Sequence, residues 1–148
     1  MLEHIVIPLA AAFAIGILLG LEREMAHKPA GLRTQVLINV GTTVFVLAAT
    51  SVGGSSAERV AANVLTGLGF LGAGVILQHG GSVRGLTTAA LIWVNGSLGV
   101  AVGLGNYLLA GSGAVVALVA LRSLAWQELD DPALPARIHA HVARVAGS

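Results

Sequence analysis

Five apolar stretches follow one another along the chain, Ile5–Leu21, Thr34–Val52, Val60–Gln78, Leu86–Leu104 and Tyr107–Trp126, separated by short polar connections. The hydrocarbon core of a bilayer takes about 20 residues of helix to cross, and inside it each backbone polar group must be satisfied within its own segment, which makes the α-helix the natural form for such runs. The chain is 55% hydrophobic and 10% charged, whereas soluble domains carry about a quarter charged residues. A water-soluble fold of this composition lacks the polar side chains to cover its surface. The pattern therefore predicts an all-α, polytopic transmembrane helix bundle of about five spans over residues 1–126, with a short tail over 127–148.

The charges predict an orientation. Arg23, Lys28 and Arg33 lie in the first connection, Arg84 in the third, and Arg122, Arg137 and Arg144 toward the C-terminus, while Arg59 stands alone in the second. Short loops rich in Lys and Arg stay cytoplasmic, so the N-terminus is expected outside and the tail inside. The first apolar stretch carries Glu3 and His4 where a signal peptide has a basic region, and it runs into GLERE rather than a small-residue cleavage site, so it reads as a retained span. In the tail, Asp131-Pro132 resembles a helix start. His139 and His141, two apart, point to different sides of any helix there, so no metal site is expected.

Glycine is the second pattern. GLGFLG at Gly67–Gly72 matches the dinucleotide-binding spacing, but that fingerprint needs a preceding strand and an acidic residue about 20 positions on. No Asp or Glu occurs between Glu58 and Glu128. Within a membrane, small residues let helix backbones approach closely. Gly16 and Gly20, Gly99 and Gly103, and Gly67, Gly69, Gly72 and Gly74 are accordingly expected to form packing faces of the first, fourth and third spans, within the bundle or between two copies in a homodimer.

The polar residues limit the chemistry. The middles of the spans contain no carboxylate, whereas a path for hydrated magnesium calls for oxygen ligands. The chain has no cysteine, and no nucleophile–base set, metal-ligand set or cofactor motif is spaced for catalysis. The net charge of +1 points to no nucleic-acid partner. Asn39, Asn63 and Asn95 are intramembrane amides suited to hydrogen-bonding between helices or to holding a ligand. Glu22, Arg23, Glu24, Arg33 and Arg84, with Thr88 nearby, gather at one membrane face. They read either as interfacial anchors or as a polar cluster that holds the bundle and meets a partner, and an Arg84–Glu22 ion pair is the specific expectation.

Four segments taken together, GLERE at Gly20–Glu24, PAGLRT at Pro29–Thr34, GLGFLGAGVIL at Gly67–Leu77 and GSVRGLTTAA at Gly81–Ala90, resemble the membrane domain of the MgtC/SapB family of bacterial inner-membrane proteins. The resemblance runs from about Ile5 to Ala125. It implies a non-catalytic regulator of ion and energy homeostasis, linked to low-magnesium adaptation and to virulence. The membrane ATP synthase is one partner it suggests, and magnesium transport is the alternative reading. Carried over by motif, Glu22, Arg23, Glu24, Gly31, Arg33, Gly69, Gly72, Gly74, Arg84, Gly85 and Thr88 are the positions of interest. Gln35 stands where many relatives have histidine, and Asn95-Gly96 where small apolar residues are common. The soluble C-terminal domain of longer members has no counterpart within these 148 residues.

Overall fold

The protein is described here by a computed structural model over residues 2–52, 56–79 and 82–129. Its elements are α1 (Glu3–Met25), α2 (Leu32–Val52), α3 (Ser56–Gly74), a hairpin of β1 (Leu77–His79) and β2 (Ser82–Arg84), α4 (Leu86–Gly103) and α5 (Tyr107–Leu129). The all-helical bundle expected from the apolar runs is the observed architecture. Helices α1, α2 and α4 are each long and apolar enough to cross a membrane, and α5 contributes a shorter apolar stretch, Tyr107–Ser123. Phe70 and Leu108, 82% and 85% exposed, show what kind of surface the bundle presents. Large apolar side chains point outward, as a lipid solvent requires.

The third apolar run differs from its expected bounds. It forms a helix from Ser56 to Gly74, beginning a turn earlier than Val60 and stopping short of Gln78. Gly72 and Gly74 weaken the helix end, and the amides of Val75 and Ile76 bond to the carbonyls of Gly72 and Ala73 in tight turns. The chain then passes into the hairpin, where Leu77 pairs with Arg84 and His79 with Ser82. Glu58 lies in the first turn of α3, beside Arg59, which makes this helix more polar than its neighbours.

Helix α2 is the centre of the unit formed by residues up to Leu118, packing against α1, α3 and α4. Its contact with α1 is a glycine contact. A Cβ added at Gly16 would lie 2.6 Å from the Cα of Val36, and one at Gly20 would lie 2.6 Å from the Cα of Leu32. Backbones this close leave no room for a side chain, so the packing depends on these two glycines. The α4–α5 connection is capped locally. Gly105 adopts φ 78°, Asn106 donates its amide to the Ala101 carbonyl, and the Asn106 side chain accepts from the Leu109 amide at 3.2 Å, an N-cap at the start of α5. From Val119 onward the chain belongs to a second unit. The tail helix start at Asp131-Pro132, and His139 and His141, lie outside the described residues.

Candidate functional site: a polar seam and an arginine clasp

Helices α2 and α4 run in the same direction, and their shared face is polar in a lipid-facing protein. Gln35, Asn39 and Thr43 recur every fourth residue on α2, which places them in one line; Asn95 and Gly99 have the same spacing on α4. Gln35, Asn39, Thr43 and Asn95 are all fully buried. The Asn95 side-chain amide donates to the Gln35 carbonyl oxygen at 2.7 Å and to Gln35 Oε1 at 2.8 Å. The Asn39 amide donates in turn to Asn95 Oδ1 at 2.6 Å and to the Asn95 carbonyl at 3.1 Å. Gln35 Nε2 completes the row by donating to the Ala30 carbonyl at 3.1 Å, and one turn further on Thr43 Oγ1 donates to the Gly99 carbonyl at 3.1 Å.

The glycines of α4 make this seam close enough to bond. A Cβ at Gly99 would lie 2.8 Å from the Asn39 carbonyl oxygen and 2.9 Å from Thr42 Cβ; one at Gly103 would lie 2.6 Å from Val46 Cβ. The row ends on an unmet group. Asn39 Oδ1 is buried and accepts no hydrogen bond among the described residues, a cost of about 1–3 kcal/mol for an isolated amide oxygen.

At the end of the bundle where α1 stops and α2 and α4 begin, the motif residues converge on Arg23. This side chain is 5% exposed. Its Nη2 donates to Thr88 Oγ1 on α4 at 2.7 Å and to the Pro29 carbonyl at 3.4 Å, while Nε is buried without a partner among the described residues. Glu24 Oε2 accepts from the Leu32 amide at 3.0 Å. It thereby satisfies one of the open amides at the N-terminus of α2 and places negative charge where the helix dipole favours it. A Cβ at Gly31 would strike this same carboxylate oxygen.

The connecting turn between α1 and α2 includes His27 at φ 52° and Ala30 at φ 56°, left-handed conformations that cost a side-chain-bearing residue about 1 kcal/mol or more. The bonds from Arg23, Glu24 and Gln35 hold it there. GLERE thus clasps PAGLRT, and the Thr88 of RGLTTAA closes the clasp from α4. Gly85 belongs to the same end: it lies at φ 91° as the residue before α4, and a Cβ there would strike the Val75 carbonyl oxygen.

Other expected residues lie elsewhere. No ion pair joins Glu22 to Arg84 among the described residues. Glu22 is half-buried and its Oε2 has no partner among them, whereas Arg84 is exposed at the end of β2, as is Arg33 on α2. Arg23, one residue along from Glu22 and so turned about 100° around the helix, is the charge that faces the core. Among the described residues Asn63 makes no hydrogen bond to another helix. It is exposed on α3 and lines a groove beside α2, away from the α2–α4 seam. Within one chain the glycines of α3 do not form a common packing face among the described residues. Only Gly72 meets a neighbour, with its Cβ position 3.5 Å from Ala89, while Gly67, Gly69 and Gly74 have open space within 4 Å; helical spacing turns Gly67 and Gly74 to the side of α3 opposite Gly72. Where α3 does meet α4 closely, the glycine is on α4: a Cβ at Gly96 would strike the Leu68 side chain.

Gln35 and Thr43 were absent from the sequence-derived site. A four-residue polar spacing inside an apolar run, Gln35-Asn39-Thr43, is the signal that identifies them. Among the described residues no group of three or more His, Asp or Glu side chains is arranged to hold a metal ion.

Comparison with known proteins places this arrangement in a lineage. The model of the MgtC family matches residues 9–129. Protein MgtC of Brucella abortus (strain 2308) is 49% identical over 105 residues, covering 70% of this chain and 44% of its own length. Protein MgtC of Salmonella typhimurium (strain LT2) is 42% identical over 115 residues, covering 78% and 50%. The chain thus spans about half the length of these curated relatives. No solved structure matches it. The matched residues take in α2, α3 and α4 whole, with both the clasp around Arg23 and the amide seam, and on that ground the chain belongs to the MgtC family.

Proposed function

We propose that the protein is a non-catalytic, regulatory protein of the bacterial inner membrane that acts by binding another membrane protein and so alters ion or energy homeostasis. The observation that carries this reading is the sealed α2–α4 interface. Its polar groups are amides and hydroxyls bonded to one another across backbones brought together by Gly99 and Gly103. A conduction path needs groups that exchange bonds with a passing ion and its water, whereas this seam commits its donors to neighbouring helices. In this reading the N-terminus is outside, the Arg23 end faces the cytoplasm, and the exposed Arg33 and Arg84 there are available to a partner. The family resemblance suggests low-magnesium adaptation as the setting and the membrane ATP synthase as one candidate partner.

Transport of magnesium or a related ion is the second reading, favoured by one feature: Glu22 holds a buried carboxylate oxygen without a partner among the described residues. Purified protein in liposomes separates the two. Saturable magnesium flux that disappears in Glu22→Gln would overturn the regulatory reading. Crosslinked capture of a defined membrane partner from magnesium-limited cells, lost in Arg33→Gln or Arg84→Gln at unchanged protein level, is the result expected.

A further inference from the structure

A groove of about 790 Å³ runs between α2 and α3. On α2 its wall extends from Thr34 to Phe45, and opposite it from Val60 of α3 to Val75 just past that helix, with Ile92 of α4 and Leu68 at its floor. The wall is apolar almost throughout, Asn63 and the two threonines being its polar members. At mid-length Gly41 and Gly67 face it, and a Cβ at either position meets nothing within 4 Å.

The length of the groove matches a lipid chain. Eleven helical steps from Thr34 to Phe45 cover about 17 Å, close to the ~15 Å hydrocarbon depth of one leaflet. An extended hydrocarbon chain is only about 4–5 Å across, given carbon contacts near 4 Å. The charges select a headgroup. Arg33 precedes Thr34 at the mouth, and Arg84 precedes Gly85, which lies against the Val75 backbone at the same mouth. Both arginines are exposed and form no ion pair among the described residues.

We propose that this groove holds an acyl chain of an anionic phospholipid, with the phosphate of its headgroup at Arg33 and Arg84. Lipid tails are as apolar as the groove wall, so the chain alone confers no selectivity; the two guanidinium groups do. The regulatory reading draws on the same Arg33 and Arg84, but the occupant here is the bilayer itself, so lipid restriction is read with no protein partner present.

The test uses the full chain in phosphatidylcholine nanodiscs with a trace of phosphatidylglycerol or phosphatidylcholine spin-labelled near the chain end. Electron spin resonance reads the motionally restricted fraction of each. Wild type is expected to restrict phosphatidylglycerol in preference. Arg33→Gln and Arg84→Gln should each lower that preference about fivefold, the weight of one basic residue toward anionic lipid. Gly67→Leu and Gly41→Leu, which fill the groove, should remove the excess restricted component, while Gly69→Leu, at an open position outside the groove, should leave it intact. Equal restriction of the two lipids by wild type would overturn the proposal. So would an unchanged excess in either groove-filling variant that melts like wild type. Efficient disulfide formation between copies of Gly67→Cys, in a chain without other cysteines, would show that a second copy occupies the groove instead.

Discussion

Gln35 and Asn95, fully buried polar side chains on α2 and α4, are bonded to each other. The Asn95 amide reaches both the backbone and the side-chain oxygen of Gln35. Each supplies what the other lacks in an interior without water, so the two are expected to be interdependent. Asn95→Leu leaves Gln35 Oε1 without its donor and the Asn39 amide with only the Asn95 backbone carbonyl. A loss of about 1–3 kcal/mol follows from unpaired buried groups, moderated toward ~0.6–2 kcal/mol if the loosened helices find other partners in the membrane. Gln35→Leu combined with Asn95→Leu should cost less than the two single losses added together, because the double change removes donor and acceptor at once. Thermal unfolding in detergent measures all three; additive losses would show that the contact carries no coupling.

The glycines divide into those with a neighbour and those without. Gly99→Ala and Gly103→Ala place a methyl group within 2.8 Å of the Asn39 carbonyl and 2.6 Å of Val46 Cβ, and overpacking of this kind costs about 1–3 kcal/mol. Gly69→Ala meets nothing within 4 Å and should be neutral or slightly stabilising, since alanine is the better helix former by about 1 kcal/mol. Melting temperatures that fall in the first two variants and hold in the third are the outcome expected. A fall at Gly69 matching that at Gly99 would indicate a contact outside the single bundle.

Arg23, rather than Arg84, is the cation whose loss should damage the fold. Arg23→Gln removes a charge-assisted bond to Thr88 and the bond to Pro29, for about 1.5–3 kcal/mol. Thr88→Val removes only the acceptor and leaves a buried guanidinium underbonded, so its cost should be comparable. Arg84→Gln, at an exposed position, should stay within about 0.5 kcal/mol of wild type. A double-mutant cycle over Glu22 and Arg84 is expected to be additive, and one over Arg23 and Thr88 to show coupling. The reverse pattern would contradict the clasp.

Topology is open to direct measurement. The expected arrangement puts the connections bearing Arg33 and Arg84 and the segment after Trp126 in the cytoplasm, following the seven-to-one distribution of Lys and Arg between the two sides. Alkaline phosphatase fused after Gln127 should be inactive and a cytoplasmic reporter there active. Phosphatase activity at that site would require an even number of crossings before it, and α3, with Glu58 and Arg59 in its opening turns, is the helix whose crossing would then be in question.

Helix number, the bundle and the family motifs were legible because they are local or periodic properties. A run of about 20 apolar residues states its own solvent, and four short motifs in order state a kinship. Which side chains meet was not legible, because small rotations of helices decide it. Glu22 and Arg23 are adjacent in GLERE, yet only Arg23 turns into the core to reach Thr88. GLGFLGAG presents four glycines, yet among the described residues only Gly72 touches a neighbour, and Gly74, two positions on, faces another side of the helix. The chain by itself determined that this protein is a glycine-rich helical bundle whose polar residues are few and exceptional. The tertiary structure decided that α2 is the central helix and that Gln35, Asn95 and Asn39 form one hydrogen-bonded row. The physical reason is that an amide cut off from water takes whichever partner the close α2–α4 crossing at Gly99 and Gly103 brings within about 3 Å.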